Sequence, residues 1–322
     1  MNPPFVITPK ILSQVSRIER LIGRVESHDQ PKPQPQLRKS NRVKTLQGSL
    51  AIEGNSLDVE QITAVLDGKR VIAPKNDILE VINANEVYEH LSSFDPYTPN
   101  HLLQAHGMMM KEILPNAGSW RTSNVGILKE GAVSHIAPQA DRVEFLVNDL
   151  FDFLKSDHHA LIKGCVFHYE FEFIHPFQDG NGRIGRFWHS LLLFHYHPIF
   201  EYIPVESIIK EHQQNYYDVL EVCDKAGEST AFIEFSLDMI LKALEGFLDV
   251  FRPQKVTGNS RLEQAREHLQ SKDFSRREYM ALHKSISTAT ASRDLKSGID
   301  QGLLLIQGER ALSRYRFKKS LK

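Results

Sequence analysis

The sequence predicts a mainly α protein: a helical body interrupted by one small β-hairpin and followed by a separate basic module. Three observations carry that prediction. Apolar residues recur at helical spacing through most of residues 8–250. The pattern turns strand-like between Gly118 and Pro138. Beyond the turn formers Pro253, Gly258, Asn259 and Ser260 the charge reverses, because residues 255–322 carry 15 Lys or Arg against 7 Asp or Glu, a net +8 against −9 for the residues before them.

Each element follows from local signals. Thr8 and Pro9 read as an N-cap and a first-turn proline, after which Ile11, Val15, Ile18, Ile22 and Val25 fall at helical spacing. Pro31, Pro33 and Pro35 then give an extended linker, so 1–37 is expected to be a helix plus a Pro-rich connection. Arg38 to Glu53 resumes a helix that stops at Gly54, a C′ glycine. Further helices are expected over Asp77–Leu91, Thr98–Leu114, Asp141–Leu154, Ala160–Phe173 and Gly182–Tyr196, with two more near 206–225 and 230–250. Phe167 to Phe173 alternates apolar with polar residues and fits strand by period or helix by context. Ser119 to Ile127 and Val133 to Ile136 read as two strands turned at Lys129-Glu130-Gly131. The core domain is thus expected over 38–252, with its hairpin flap at about 118–138.

At 322 residues, 41% hydrophobic and 25% charged, the chain has the composition of an ordinary globular protein. Met1 to Val6 lacks the start of a secretory leader and no apolar run approaches membrane length, so a cytoplasmic protein with no membrane contact is expected. Cys165 and Cys223 lie in apolar helical patterns and read as buried thiols. His158, His159, His189, His195 and His197 have no metal-ligand spacing.

Residues His175-Pro176-Phe177-Gln178-Asp179-Gly180-Asn181-Gly182-Arg183-Ile184-Gly185-Arg186 concentrate the chemistry. Pro176 disfavours the α conformation at His175, so the imidazole is expected to project from the end of one element into a loop. Near neutral pH an unperturbed imidazole can accept a hydroxyl proton, which suits a general base. Gly180, Asn181 and Gly182 can adopt the conformations that aim successive N–H groups at an anion, and the helix they open adds its positive dipole end. Asp179 is a hard oxygen ligand beside that cradle, the usual setting for Mg²⁺. Arg183 and Arg186, three apart, share one helix face. The combination points to nucleotide phosphate chemistry, with α and γ phosphorus both open as targets.

This segment resembles the signature of the Fic family, His-x-Phe-x-Asp/Glu-Gly-Asn-Gly-Arg-x-x-Arg, and matches it at every specified position. Looser likeness covers most of 40–250, including Gly118-Ser119-Trp120-Arg121 with Val125 and Ile127, similar to the family's flap, and Asn215 to Leu220, similar to the helix beside its nucleotide pocket. The resemblance implies a protein adenylyltransferase that moves AMP from ATP, its substrate, to a Ser, Thr or Tyr hydroxyl of a protein and releases pyrophosphate. His175 would be the base, Asp179 would hold Mg²⁺, and Asn181 would touch the α-phosphate. Gly180, Asn181, Gly182, Arg183, Ile184, Gly185 and Arg186 would form the nucleotide-binding run, with Arg183 and Arg186 on the outer phosphates. A family member that acts as a kinase carries Lys where this chain has Gly182, so Gly182 favours nucleotidyl transfer.

Upstream, Ser49-Leu50-Ala51-Ile52-Glu53-Gly54 resembles the family's inhibitory motif Ser/Thr-x-x-x-Glu-Gly/Asn. Ser49 and Glu53 are four apart and share a helix face. The implied mechanism pairs Glu53 with Arg186, removing it from the γ-phosphate and misaligning ATP. Removal of AMP from modified proteins, with Glu53 aligning a water, stays open, as do self-modification and a homodimer. By the same resemblance Tyr216 and Tyr217 would cover the base or ribose, with His212 and Glu221 beside them; aromatic residues at this spacing also fit a core. An exposed flap edge would bind an extended target segment by main-chain hydrogen bonds.

In the basic module, helical patterns over Leu262–Leu269, Ser275–His283 and Ser287–Gln301 precede two short strands, Leu303–Ile306 and Tyr315–Phe317, around Gly308-Glu309. Over 256–322 this resembles a winged helix-turn-helix. Arg293, Lys296, Arg310, Arg314 and Arg316 are candidates for DNA phosphate contact, with a protein-contact module the equal alternative. A DNA-binding regulator with a nucleotide-sensing body is the alternative to the enzyme.

Overall fold

The computed structural model describes residues 3–27, 35–129, 132–251, 257–283, 286–308 and 313–318. Pro31 and Pro33 of the expected linker, the turn residues Glu130 and Gly131, and Pro253, Glu309 and Arg310 lie outside them. The chain divides into two units, Met1–Val250 and Phe251–Lys322.

In the first unit the helices are α1 (Pro9–Ser27), α2 (Pro35–Ile52), α3 (Val59–Leu66), α4 (Lys75–Glu89), α5 (Pro99–Met109), α6 (Val143–Phe153), α7 (Ala160–Ile174), α8 (Asn181–Tyr196), α9 (Val205–Glu211), α10 (Gln213–Ala226) and α11 (Thr230–Phe251). The core lies around α7 and α8, where Phe167, Phe171, Phe177, Phe187 and Trp188 are closed to solvent. Buried on almost every face, α7 has no apolar stripe, which is why its period was ambiguous. Gly48 lets α2 meet α9 backbone to backbone: a Cβ there would stand 2.7 Å from the Glu206 carbonyl carbon.

Several boundaries differ from the sequence reading. The second helix starts at Pro35, inside the expected linker, where a first-turn proline needs no N–H partner. The helix α3 was not anticipated, although Asp58 and Gln61 form a capping box that starts it. The helix expected to reach Leu114 ends at Met109, and Glu112 beyond it takes a left-handed backbone, φ 61°. The segment expected as one helix near 206–225 breaks at His212, φ −113° and ψ 30°, into α9 and α10.

Strands β1 (Gly126–Lys129) and β2 (Ala132–Ile136) pair antiparallel, Gly126 opposite Ile136, with a register shift between Ile127 and Leu128. The expected first strand began at Ser119, but residues 119–125 are irregular, and the Arg121 N–H goes to the Pro176 carbonyl at 3.0 Å.

The second unit holds α12 (Gly258–Leu269), α13 (Arg276–Leu282), α14 (Thr288–Asp300) and the antiparallel pair β3 (Leu304–Gln307) and β4 (Arg314–Phe317). Its own core gathers Leu262, Phe274, Tyr279, Leu295, Leu304 and Phe317. Arg261 reaches Asp294 at 2.6 Å, and the Tyr279 hydroxyl donates to the same carboxylate at 3.2 Å. No helix among the described residues is long and apolar enough to cross a membrane. Cys165 and Cys223 are buried and free.

Candidate active site

The loop between α7 and α8 begins at His175, which leaves the α conformation that Pro176 disfavours for the left-handed region, φ 49° and ψ 60°. Its N–H still closes the last helical bond to the Phe171 carbonyl at 3.0 Å, so the imidazole leaves the helix end at a fixed angle. Asn181 then clamps the loop: its Oδ1 accepts from the Phe177 N–H at 2.8 Å and its Nδ2 donates to the Phe177 carbonyl at 2.9 Å. Gly180 sits at φ 80°, with Met110 so close that a Cβ would lie 2.6 Å from the sulfur. Only glycine fits there.

Two residues that the sequence reading assigned no role in the site hold the loop from outside. His106 stacks on Phe177 at 3.6 Å and 4°. Its Nδ1 accepts from the Gly118 N–H at 2.8 Å, so Nε2 carries the proton and donates to the Asp179 carbonyl at 2.9 Å. Burial pushes its pKa down to about 4 and keeps it neutral. Arg121, 2% exposed, spends its guanidinium on carbonyls: His175 at 2.8 Å, Ser123 at 2.9 Å, Ile174 at 3.3 Å and Pro138. The base of the flap is thereby stapled to the loop that carries His175.

The helix α8 opens with Gly180 as N-cap, with no side-chain cap and no acid in its first turn. Its free N–H groups and dipole favour an anion. Asp179 stands beside them, its side chain 60% exposed; Oδ1 accepts from the Gly180 N–H at 2.6 Å and lies 3.3 Å from Arg183 Nη2. No group of three or more His, Cys, Asp or Glu that could hold a metal occurs among the described residues. A single open carboxylate fits Mg²⁺ that brings its own waters and shares phosphate oxygens.

Both arginines of the run are buried and already engaged. Arg183 meets Glu80 at 2.6 Å, and Glu80 in turn accepts from Asn55 at 2.8 Å, joining α8, α4 and the end of α2. Arg186, 1% exposed, donates to Ser49 Oγ at 3.2 Å, the Ser49 carbonyl at 3.0 Å and Glu53 Oε1 at 2.7 Å. Burial is the largest single influence and opposes its charge, but Glu53, Tyr216 and Glu172 together outweigh it and hold the guanidinium above the ordinary arginine value. Gly54, at φ 92°, ends α2 in a Schellman turn, with Asn55 N–H on the Leu50 carbonyl and Gly54 N–H on that of Ala51. That turn fixes the direction of Glu53.

Several residues expected at the nucleotide have partners within the chain. Asn181 uses both ends of its amide on Phe177. Ile184 is fully buried, and Gly185 packs on Phe171 and Glu172 of α7. Tyr216 is core, 2% exposed, its hydroxyl 3.2 Å from His168 Nε2. The Tyr217 hydroxyl donates to the Ile52 carbonyl at 3.1 Å, joined there by Gln213, while Lys210 takes the Ala51 carbonyl, so these side chains tie down the end of α2. His212 bonds the Ile208 carbonyl and Lys242, and Glu221 pairs with Lys225. In the second unit Arg314 and Arg316 pair with Glu278 and Asp273.

The Fic/DOC family profile matches residues 96–193, which include the flap and the whole loop. A protein adenylyltransferase Fic of Aedes aegypti is 28% identical over 218 residues, 62% of this chain and 40% of its own length. One from Nematostella vectensis is 25% identical over 213 residues, 62% of this chain and 47% of its own. The aligned region therefore spans about two fifths to one half of these curated relatives. Among solved structures, Fic-1 (residues 134–508) of C. elegans shares the fold at 19% identity, with TM-score 0.58, over 76% of this chain and 72% of its own. A Fic family protein from Desulfovibrio desulfuricans G20 is 36% identical with TM-score 0.76 and matches over 100% of both chains. With that full-length likeness around an intact signature loop, the chain belongs to the Fic family.

Proposed function

We propose that this chain is an autoinhibited protein adenylyltransferase. The observation that supports this reading most is the Glu53–Arg186 contact at 2.7 Å, made over an intact signature loop. His175 takes the proton of a target hydroxyl as its oxygen attacks the α-phosphorus of ATP, and pyrophosphate leaves. The N–H groups that open α8 receive the phosphates, Arg183 and Arg186 bind the outer ones, and Asp179 holds Mg²⁺. When bound, that ion neutralises charge on the phosphates. The target lies along the edge of the flap and presents its hydroxyl to His175. With Glu53 on Arg186, the guanidinium is withheld from the γ-phosphate and the carboxylate repels it.

The basic C-terminal unit, with its winged helix-turn-helix likeness, is proposed to carry partner contact. Salt bridges already engage two of the five cations considered for DNA, Arg314 and Arg316.

The test is label transfer from α-labelled ATP in the presence of Mg²⁺. Glu53→Gly is expected to raise protein labelling by about tenfold or more, equivalent to ~1.4 kcal/mol of lost inhibition. His175→Ala in the same background is expected to abolish it. Transfer of γ label in place of α label would overturn the adenylyltransferase reading, and a Glu53→Gly protein no more active than the parent would overturn autoinhibition.

A further inference from the structure

Beside Arg186 lies a buried polar nest that the proposed reaction does not use. Glu172 reaches from α7 toward α8, its Oε1 2.8 Å from where a Cβ of Gly185 would stand. Its side chain is 12% exposed, and that oxygen is buried without a hydrogen-bond partner. His168, on the same helix, places Nε2 3.7 Å away, too far for a hydrogen bond. It forms no ion pair either, because burial holds its pKa far below the imidazole range. His189 on α8 is also neutral, pushed by burial to about 4. Tyr216 on α10 keeps its proton, its pKa raised well above the phenol value by burial, and its hydroxyl favours the ionised form of Glu172.

The charged groups that face Glu172 are therefore Arg186 on α8, which favours its ionisation, and Glu53 on α2, which opposes it. Burial comes first, and with Glu53 in place the Glu172 carboxyl is raised to about 7. Two carboxyls thus act on one guanidinium, Glu53 by direct contact and Glu172 through the field across the helix pair. If Glu53 leaves before an anionic ligand arrives, Arg186 is a buried cation that needs another anion, and Glu172, whose buried Oε1 faces α8 at Gly185, already acts on its charge.

Resting on the inhibitory reading of Glu53, we propose that Glu172 is a positioning residue for Arg186. It is a second counter-ion that takes over the guanidinium as Glu53 withdraws, and so sets how readily the inhibitory contact opens. Ionised Glu172 repels Glu53 and holds Arg186; protonated Glu172 leaves Arg186 to Glu53. Opening is therefore favoured as pH rises.

The test compares the parent, Glu53→Gly, Glu172→Gln and the double variant, with Glu172→Asp as a second probe that keeps the charge. AMP transfer is followed between about pH 6 and 8, and each protein with Glu53 is divided by its Glu53→Gly partner. That ratio cancels the titration of His175. It is expected to rise with pH by up to about tenfold for each unit by which Glu53 raises the Glu172 pKa. The rise should vanish in the Glu172→Gln pair and persist with Glu172→Asp. In a second arm, the Kd of a fluorescent ATP analogue should be several-fold weaker for Glu53→Gly,Glu172→Gln than for Glu53→Gly at about pH 8. Equal slopes with and without Glu172, or equal Kd values, overturn the proposal. Failure of Glu53→Gly to activate would instead defeat the inhibitory reading, while the Kd arm still decides whether Glu172 anchors Arg186.

Discussion

A methyl group on Gly182 would stand 2.3 Å from Oε1 of Glu53, so the Glu53 carboxylate occupies the space left by the missing side chain. The same oxygen holds Arg186 at 2.7 Å, so any side chain at 182 must displace the acid or the guanidinium.

Gly182→Ala is therefore expected to destabilise the parent by ~1–3 kcal/mol through overpacking. In a Glu53→Gly background most of that cost should disappear, since the colliding atom is gone. Urea unfolding of the four proteins in the cycle measures the coupling. Additive effects would mean that Glu53 does not sit against Gly182 in solution.

Arg121 makes the second prediction. A buried guanidinium on four carbonyls cannot be replaced by an ammonium with the same reach. Arg121→Ala is expected to lose ~3–5 kcal/mol of stability. Arg121→Lys should stay folded with most label transfer gone, because the flap base and His175 lose their common anchor. A Lys variant with parental transfer in the Glu53→Gly background would contradict this.

Much of the site was legible in the sequence, because the residues proposed to meet a phosphate are contiguous and their spacing is set by the loop. Asp179, Gly180 and the start of α8 stand where the motif places them, and Glu53 follows from its position four residues after Ser49. The supports were not legible. His106 and Glu80 sit on α5 and α4, with no local pattern to distinguish them from other helix residues, and tertiary packing alone joins them to the loop. Tyr216 and Tyr217 could not be separated for a related reason: adjacent residues on a helix point about 100° apart, so one enters the core, as the spacing also allowed, and the other reaches Ile52. The α3 cap, Asp58 with Gln61, was a readable signal that went unused.

His106 gives a pH dependence with a definite sign. Its folded pKa of about 4 lies below the ordinary 6.5, so on acidification the unfolded chain binds the proton first. The stability it contributes is complete above about pH 6.5 and is lost as pH falls toward 4, by at most ~3 kcal/mol. Glu170 acts in the opposite direction, because burial raises it to about 7 and its contribution is lost as pH rises from 4.5. The parent curve is therefore flattened, and the comparison with His106→Gln isolates the histidine. Between about pH 6.5 and 4 the variant should lose less stability than the parent. Parallel thermal-melt curves would place a solvated imidazole at 106.

The Tyr217 hydroxyl is one of three side-chain donors on the last carbonyls of α2, with Gln213 and Lys210. Removing one such bond costs ~1 kcal/mol, which here loosens the end of the helix that presents Glu53. Tyr217→Phe is accordingly expected to raise basal AMP transfer about fivefold, by the same free energy. With Glu53→Gly already present, the tether has no inhibitory residue to hold, and Tyr217→Phe should leave kcat and the KM for ATP unchanged. A rise in KM in that background would instead put the phenol on the nucleotide. Steady-state kinetics of the two pairs of proteins therefore decides between a tether and a substrate contact.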